Sequence, residues 1–166
     1  MTVYHGSTVE IKSPDLNHTK RFLDFGPAFY VTSFREQAER WARRKHSRAL
    51  SSSAPVVNVY ELDDDLSAFS VLRFGGVDEA ELDFVCDCRD GKDVYSTYDV
   101  IIGRVADDSA DHRAFALRPS ERPVGFAHRS HHFREIAVCP VVPDRKRGVT
   151  CAKSNTMSPL TPTRNG

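Results

Sequence analysis

The chain has 166 residues, 40% of them hydrophobic, and its 23 Lys and Arg balance 23 Asp and Glu. That length suits one domain, and ten Phe supply the apolar payload that a wholly disordered chain lacks. No apolar run approaches the ~20 residues of a membrane-spanning helix, so none is expected in this sequence.

The opening segment, MTVYHGSTVE, has neither the basic nor the apolar region of a secretory signal. Cys86, Cys88, Cys139 and Cys151 fit neither a zinc knuckle nor a disulfide framework. Buried thiols in a reducing cytoplasm are therefore expected. The zero net charge hides a division. Residues 1–108 hold 13 Lys and Arg against 19 Asp and Glu, whereas residues 109–166 hold 10 against 4. An acidic body with a basic tail reads as a disordered extension or as an arm for a nucleic-acid or protein partner.

In chain order, Thr2–His5 reads as a short strand, and residues 8–23 as a loop. Ala28–Thr32 is a second strand. A helix follows, with Ser33 as its N-cap and Glu36 completing a capping box. Phe34, Ala38, Trp41 and Ala42 form its apolar face, and it ends near Lys45 or Ser47. Arg43-Arg44-Lys45 reads as a solvated helix end that suits the helix dipole. Ser51–Pro55 is a loop, and the β-branched, aromatic run Val56–Leu62 a strand. Phe69–Phe74 reads as a strand broken by Gly75-Gly76. Val77–Arg89 reads as a helix with Val77, Ala80, Phe84, Val85 and Cys88 on one side. Asp90-Gly91 is a turn, and Tyr98–Val105 a buried strand. Beyond Asp108, Pro, His and Arg accumulate and the helical period disappears. There, His132–Val142 is the one candidate strand, limited by Pro140 and Pro143 to an edge. The expected class is α+β, with small mixed and antiparallel sheets, two to three helices and an irregular basic tail. The expected domain covers 1–143, with 144–166 disordered.

Two short segments carry chemistry: Tyr4-His5-Gly6-Ser7, and Asp24-Phe25-Gly26-Pro27-Ala28-Phe29-Tyr30. A protein that splits NAD⁺ must grip the nicotinamide amide, place an aromatic face against the pyridinium ring, and hold a carboxylate near the developing ribose cation. Gly6, lacking a Cβ, would let the amide approach its backbone. His5 can donate to a ribose hydroxyl, and Tyr30 can supply the aromatic face. Gln37 and Trp41 lie one helical turn apart, so Trp41 either closes the ring from its other side or belongs to the apolar stripe. Asp24 reads as a turn residue. Asp107 and Asp108 read as strand-ending carboxylates. His128, His131, His132 and Cys139 have metal-ligand chemistry, but their irregular segment is read without a metal.

These segments resemble the H-G-[ST] and F-G-x-G-[IF]-Y strands of the ADP-ribosyltransferase fold, in its diphtheria-toxin-like and poly(ADP-ribose)-polymerase-like branch. More narrowly, the chain resembles small bacterial proteins of the DUF3990 family. They share YHGS, DFG-x-GFY-x-T, A-x-x-WA, VVN-x-YE and YD-[IV]-[IV]-IG-x-VADD. All five blocks occur here in order over residues 3–108, with Ala28 in place of a usual Gly. The resemblance implies NAD as substrate and transfer of ADP-ribose to an unknown protein or nucleic-acid acceptor. It implies His5, Gly6, Ser7, Phe25, Gly26, Tyr30, Gln37 and Trp41 as NAD-binding residues, with His5 and Tyr30 also catalytic. The family's late strand opens with a polar residue at the catalytic-glutamate position. Here Arg134-Glu135-Ile136-Ala137-Val138 is its candidate, which makes Glu135 the third catalytic residue. Toxin or phage-conflict biology is the context the resemblance suggests, in a bacterial cytoplasm. Two rival readings remain: a non-catalytic or decayed NAD or ADP-ribose binder, and a module that binds protein or nucleic acid through its basic tail.

Overall fold

The computed structural model describes residues 1–14, 23–49, 54–75, 79–104, 134–138 and 149–150. The chain divides into two compact units. The first comprises Met1–Pro14, Val31–Asp65 and Lys146–Gly166, and the second Asp15–Tyr30 and Leu66–Arg145. Their architecture is α+β, with antiparallel and parallel strand pairs and, among the described residues, two helices.

In the first unit, β1 (Thr2–Ser7) pairs antiparallel with β3 (Val56–Leu62) over six consecutive positions, from Thr2↔Glu61 to Ser7↔Val56. Strand β2 (Phe29–Thr32) lies antiparallel on the other side of β1, with Tyr4 opposite Thr32. Helix α1 (Arg35–Arg48) packs on β1 and β3, and its buried residues are Gln37, Ala38 and Ala42. Val3, Val31, Val57, Tyr60 and Leu62 complete this core. The β-branched composition of VVNVYEL suits a pleated surface, and the strand has the bounds that the sequence predicts. Strand β7 (Val149–Thr150) pairs antiparallel with the end of β3. That pair lies inside the stretch read as a disordered tail, and the rest of 144–166 lies outside the described residues.

In the second unit, β4 (Val71–Arg73) runs parallel to β5 (Val100–Arg104), and α2 (Glu79–Arg89) lies in the connection between them. Parallel neighbours need such a crossover, so one βαβ unit exists where the sequence suggests no regular alternation. Asp99 pins the start of the pair. Its Oδ2 accepts from Ser70 N–H at 2.8 Å, while its own N–H donates to Ser70 O at 2.8 Å. Strand β6 (Arg134–Val138) pairs antiparallel with β5, from Val100↔Val138 to Arg104↔Arg134. In the strand order it has a neighbour on each side, so it is an interior strand rather than the expected edge. Pro140 and Pro143 lie outside the described residues. Phe25, Ala28, Val85 and Ile101 form the core, with Phe74, Phe84, Tyr95 and Tyr98 packed against them.

Two local expectations change. Helix α1 is capped by Phe34 in extended conformation with no side-chain cap, so Ser33 and Glu36 form no capping box. The Thr32 hydroxyl accepts from Phe34 N–H at 3.1 Å instead, which satisfies a donor at the helix entry from one residue further upstream. On α2, the buried positions are Glu81, Val85 and Cys88, while Ala80 is exposed. Val77 lies outside the described residues. Among the described residues, no helix is long and apolar enough to cross a membrane.

Candidate functional site

The predicted site residues fall into two groups, one in each unit. In the first, His5 is half-buried on β1, and Gly6 and Ser7 are buried. Ser7 Oγ accepts from Val9 N–H at 3.3 Å and turns the chain after the strand. Gly6 is explained by close packing. A Cβ there would strike the Ala38 carbonyl, lie 2.8 Å from Ala42 N and lie 3.0 Å from Trp41 Cβ. The small residues Ala38 and Ala42 thus let α1 rest directly on the β1 backbone.

Gly6 O is engaged as well. Lys45 Nζ donates to it at 2.8 Å and lies 3.5 Å from His5 Nε2. Lys45 is a neighbour of both candidate residues that sequence reading misses. Its only linear signal is a cation on the last turn of α1, 40 positions from His5. Gln37 is buried, and its Oε1 accepts from Thr32 Oγ1 at 2.5 Å, which ties β2 to the helix that follows. Trp41 is half-buried, with the Arg44 guanidinium 5.0 Å from its ring centroid. Asn58, opposite His5 in the register, is another buried polar residue that the sequence reading leaves without a role. It accepts from Ile11 N–H at 2.8 Å and donates to Val9 O at 3.2 Å, and Tyr60 OH donates to Ile11 O at 2.6 Å. Together they fix the segment that leaves β1. An Asn inside a β-branched strand was its available signal.

In the second unit, Asp24-Phe25-Gly26 forms a tight turn. Gly26 has a φ of 76°, in the left-handed region that favours glycine, and a Cβ there would strike the Tyr95 ring. Asp24 Oδ1 accepts from Arg89 Nε at 2.9 Å and Arg89 Nη2 at 2.5 Å, which anchors the turn to the end of α2. Phe25 has 0% exposure and lies at the centre of the core, its ring stacked on Tyr30 and Phe74 with centroids 6.5 and 6.2 Å away.

Tyr30 is half-buried, and its hydroxyl closes the same turn. It accepts from Phe25 N–H at 3.0 Å and donates to Gly26 O at 2.7 Å. Tyr30→Phe keeps the ring but strands both groups, and is expected to lower stability by about 1–3 kcal/mol. Urea unfolding would check this, and an unchanged midpoint would deny the hydroxyl its structural role.

Glu135 lies on β6 with its backbone opposite Gly103. Gly103 itself admits a neighbour, because a Cβ there would meet the Glu81 carboxylate and would lie 2.5 Å from Phe25 Cζ. Glu81, 3% exposed on α2, is a buried acid that the sequence reading passes over. Asp107, Asp108, His128, His131, His132 and Cys139 lie outside the described residues. Among the described residues, no cluster of three or more His, Cys, Asp or Glu side chains is arranged to hold a metal.

Comparison with curated proteins and with solved structures finds no match. The family described as "Protein of unknown function (DUF3990)" matches residues 1–116, and the chain belongs to that family.

Proposed function

We propose that this chain is an ADP-ribosyltransferase-like protein of the cytoplasm that uses NAD⁺ as substrate and passes ADP-ribose to a protein or nucleic-acid acceptor. The observation that carries the reading is the strand at Arg134–Val138. A late strand is what this activity requires, and it forms in a region whose composition differs from the rest of the chain. The antiparallel pairing of β1, which bears His5-Gly6-Ser7, with β2, which ends the segment bearing Tyr30, also supports it.

In this reading His5 and Gly6 orient the dinucleotide, Tyr30 and Trp41 supply aromatic faces for the nicotinamide, and Glu135 supplies the carboxylate that stabilises the developing ribose cation. The bond between the ribose anomeric carbon and the nicotinamide nitrogen breaks. Its electron pair leaves with nicotinamide and neutralises the pyridinium. The acceptor atom bonds to the anomeric carbon and gives up its proton. A carboxylate beside the cationic carbon lowers the barrier because it is fixed before charge develops.

One observation favours a second reading, a binder of NAD or ADP-ribose without transfer. Lys45 already donates to Gly6 O, the carbonyl that would accept from the nicotinamide amide. Titration calorimetry of NAD⁺ and of ADP-ribose into the full chain separates the two. The transferase reading expects NAD⁺ to bind and His5→Ala to weaken it about tenfold or more, the loss of one to two hydrogen bonds. Tighter binding of ADP-ribose with no turnover would favour the second reading. Binding of neither would end both.

A further inference from the structure

Helix α1 carries six cationic side chains, Arg35, Arg40, Arg43, Arg44, Lys45 and Arg48, against two acidic ones. One acid, Glu39, pairs with Arg35 at 3.0 Å. The side that packs on the strands is formed by Gln37, Ala38 and Ala42. At 3.6 residues per turn, Arg40 and Arg43 fall on the opposite side, and Arg40, Arg44 and Arg48 make a row four residues apart. Arg40, Arg43 and Arg48 are exposed.

The row is about 12 Å long, and its three exposed arginines can engage up to three phosphates. Arginine grips phosphate through two parallel N–H donors. At the border of the row, the Arg44 guanidinium lies over the half-buried Trp41 ring, 5.0 Å from its centroid. A guanidinium and an aromatic ring side by side offer a base both a cation and a π-face.

We propose that this face of α1 binds single-stranded nucleic acid, with Arg40, Arg43 and Arg48 holding phosphates and the Arg44–Trp41 stack receiving a base. The chemistry selects this class. A membrane-binding helix needs an apolar face beside its cations, and the apolar side of α1 is spent on β1 and β3. An acidic peptide has charge but no flat ring for the stack. The proposal does not depend on the transferase reading, and because both use Trp41 its test is run without NAD⁺.

Trp41 is the single Trp of the chain, so its fluorescence reports on the surroundings of that one ring. The test titrates the full chain with a fluorescein-labelled single-stranded RNA of about 12 nucleotides, long enough to cover the row. The expected result is binding with quenched Trp41 emission. With three phosphates neutralised, affinity should fall about fifteen- to twentyfold between about 50 and 200 mM salt. The combined variant Arg40→Gln, Arg43→Gln, Arg48→Gln, all at exposed positions, should weaken binding at least tenfold with unchanged circular dichroism. The salt dependence and the Trp41 quenching test the proposal in the unaltered chain, whatever the variant's stability. Absent binding, binding without quenching, or a folded variant that binds as tightly as the original chain would overturn it. The last outcome would move the contact away from α1.

Discussion

Phe25→Ala is expected to cost about 3–5 kcal/mol, the largest loss at any single position considered, because it empties the centre of the second unit's core. Phe25 has no exposed surface and stacks on Tyr30 and Phe74, with Phe84 tilted against it at 6.4 Å. Those rings are held on other elements, so they cannot all close on the space left behind. Since a domain's whole stability is about 5–15 kcal/mol, the variant would sit near the unfolding threshold. Urea denaturation with an unchanged slope measures the loss. Phe34→Ala is the control. That ring is 40% exposed, and its removal should shift stability by no more than about 0.5 kcal/mol. Equal midpoints for the two variants would contradict the core placement. Phe25 also belongs to the candidate NAD-binding set, so lost activity in Phe25→Ala would report on folding before it reported on NAD⁺.

Gly6→Ala is expected to cost about 3 kcal/mol through overpacking alone. Its new methyl would meet the Ala38 carbonyl and the Ala42 amide, which are helix backbone atoms that no rotamer change can move aside. The helix must lift off β1, and the melting temperature should drop by about 6–12 °C. Gly75→Ala is the matching control. Among the described residues nothing lies within 4 Å of its added Cβ, so it should melt within about 2 °C of the original chain. A Gly6→Ala protein of unaltered stability would contradict the close approach of α1. It would also leave ligand contact as the better reason for glycine there.

These two expectations show what the sequence made legible. VVNVYEL, the aromatic strand at residues 29–32 and both helices follow from periodicity and β-branched composition, which are local properties. Most of the five shared blocks are also accounted for by the fold. Ala38 and Ala42 receive Gly6; Asn58 and Tyr60 hold the segment after β1; Tyr30 closes the turn at Gly26; Asp99 pins β4 to β5; and Gly103 makes room beside Glu81. Read linearly, such blocks look like pocket motifs, because a glycine that admits a helix is indistinguishable from one that admits a ligand. Lys45 against Gly6 and Glu81 against Gly103 depend on contacts 39 and 22 positions apart, and no local pattern encodes them. The parallel partnership of β4 and β5 was hidden for the same reason. The start of α1 was missed because the useful hydroxyl belongs to Thr32 and not to Ser33.

The central claim is that a working NAD⁺ site exists with Glu135 as its carboxylate. Its most direct test is nicotinamide release from NAD⁺ by the purified full chain, measured beside Glu135→Gln at equal fold content. Tyr30→Ala is a poor partner for this assay, since Tyr30 also closes the Gly26 turn. The account predicts measurable release that falls at least about a hundredfold in Glu135→Gln, as expected when a transition-state electrostatic contact is removed. No release from a folded chain, or equal release from both proteins, would contradict it.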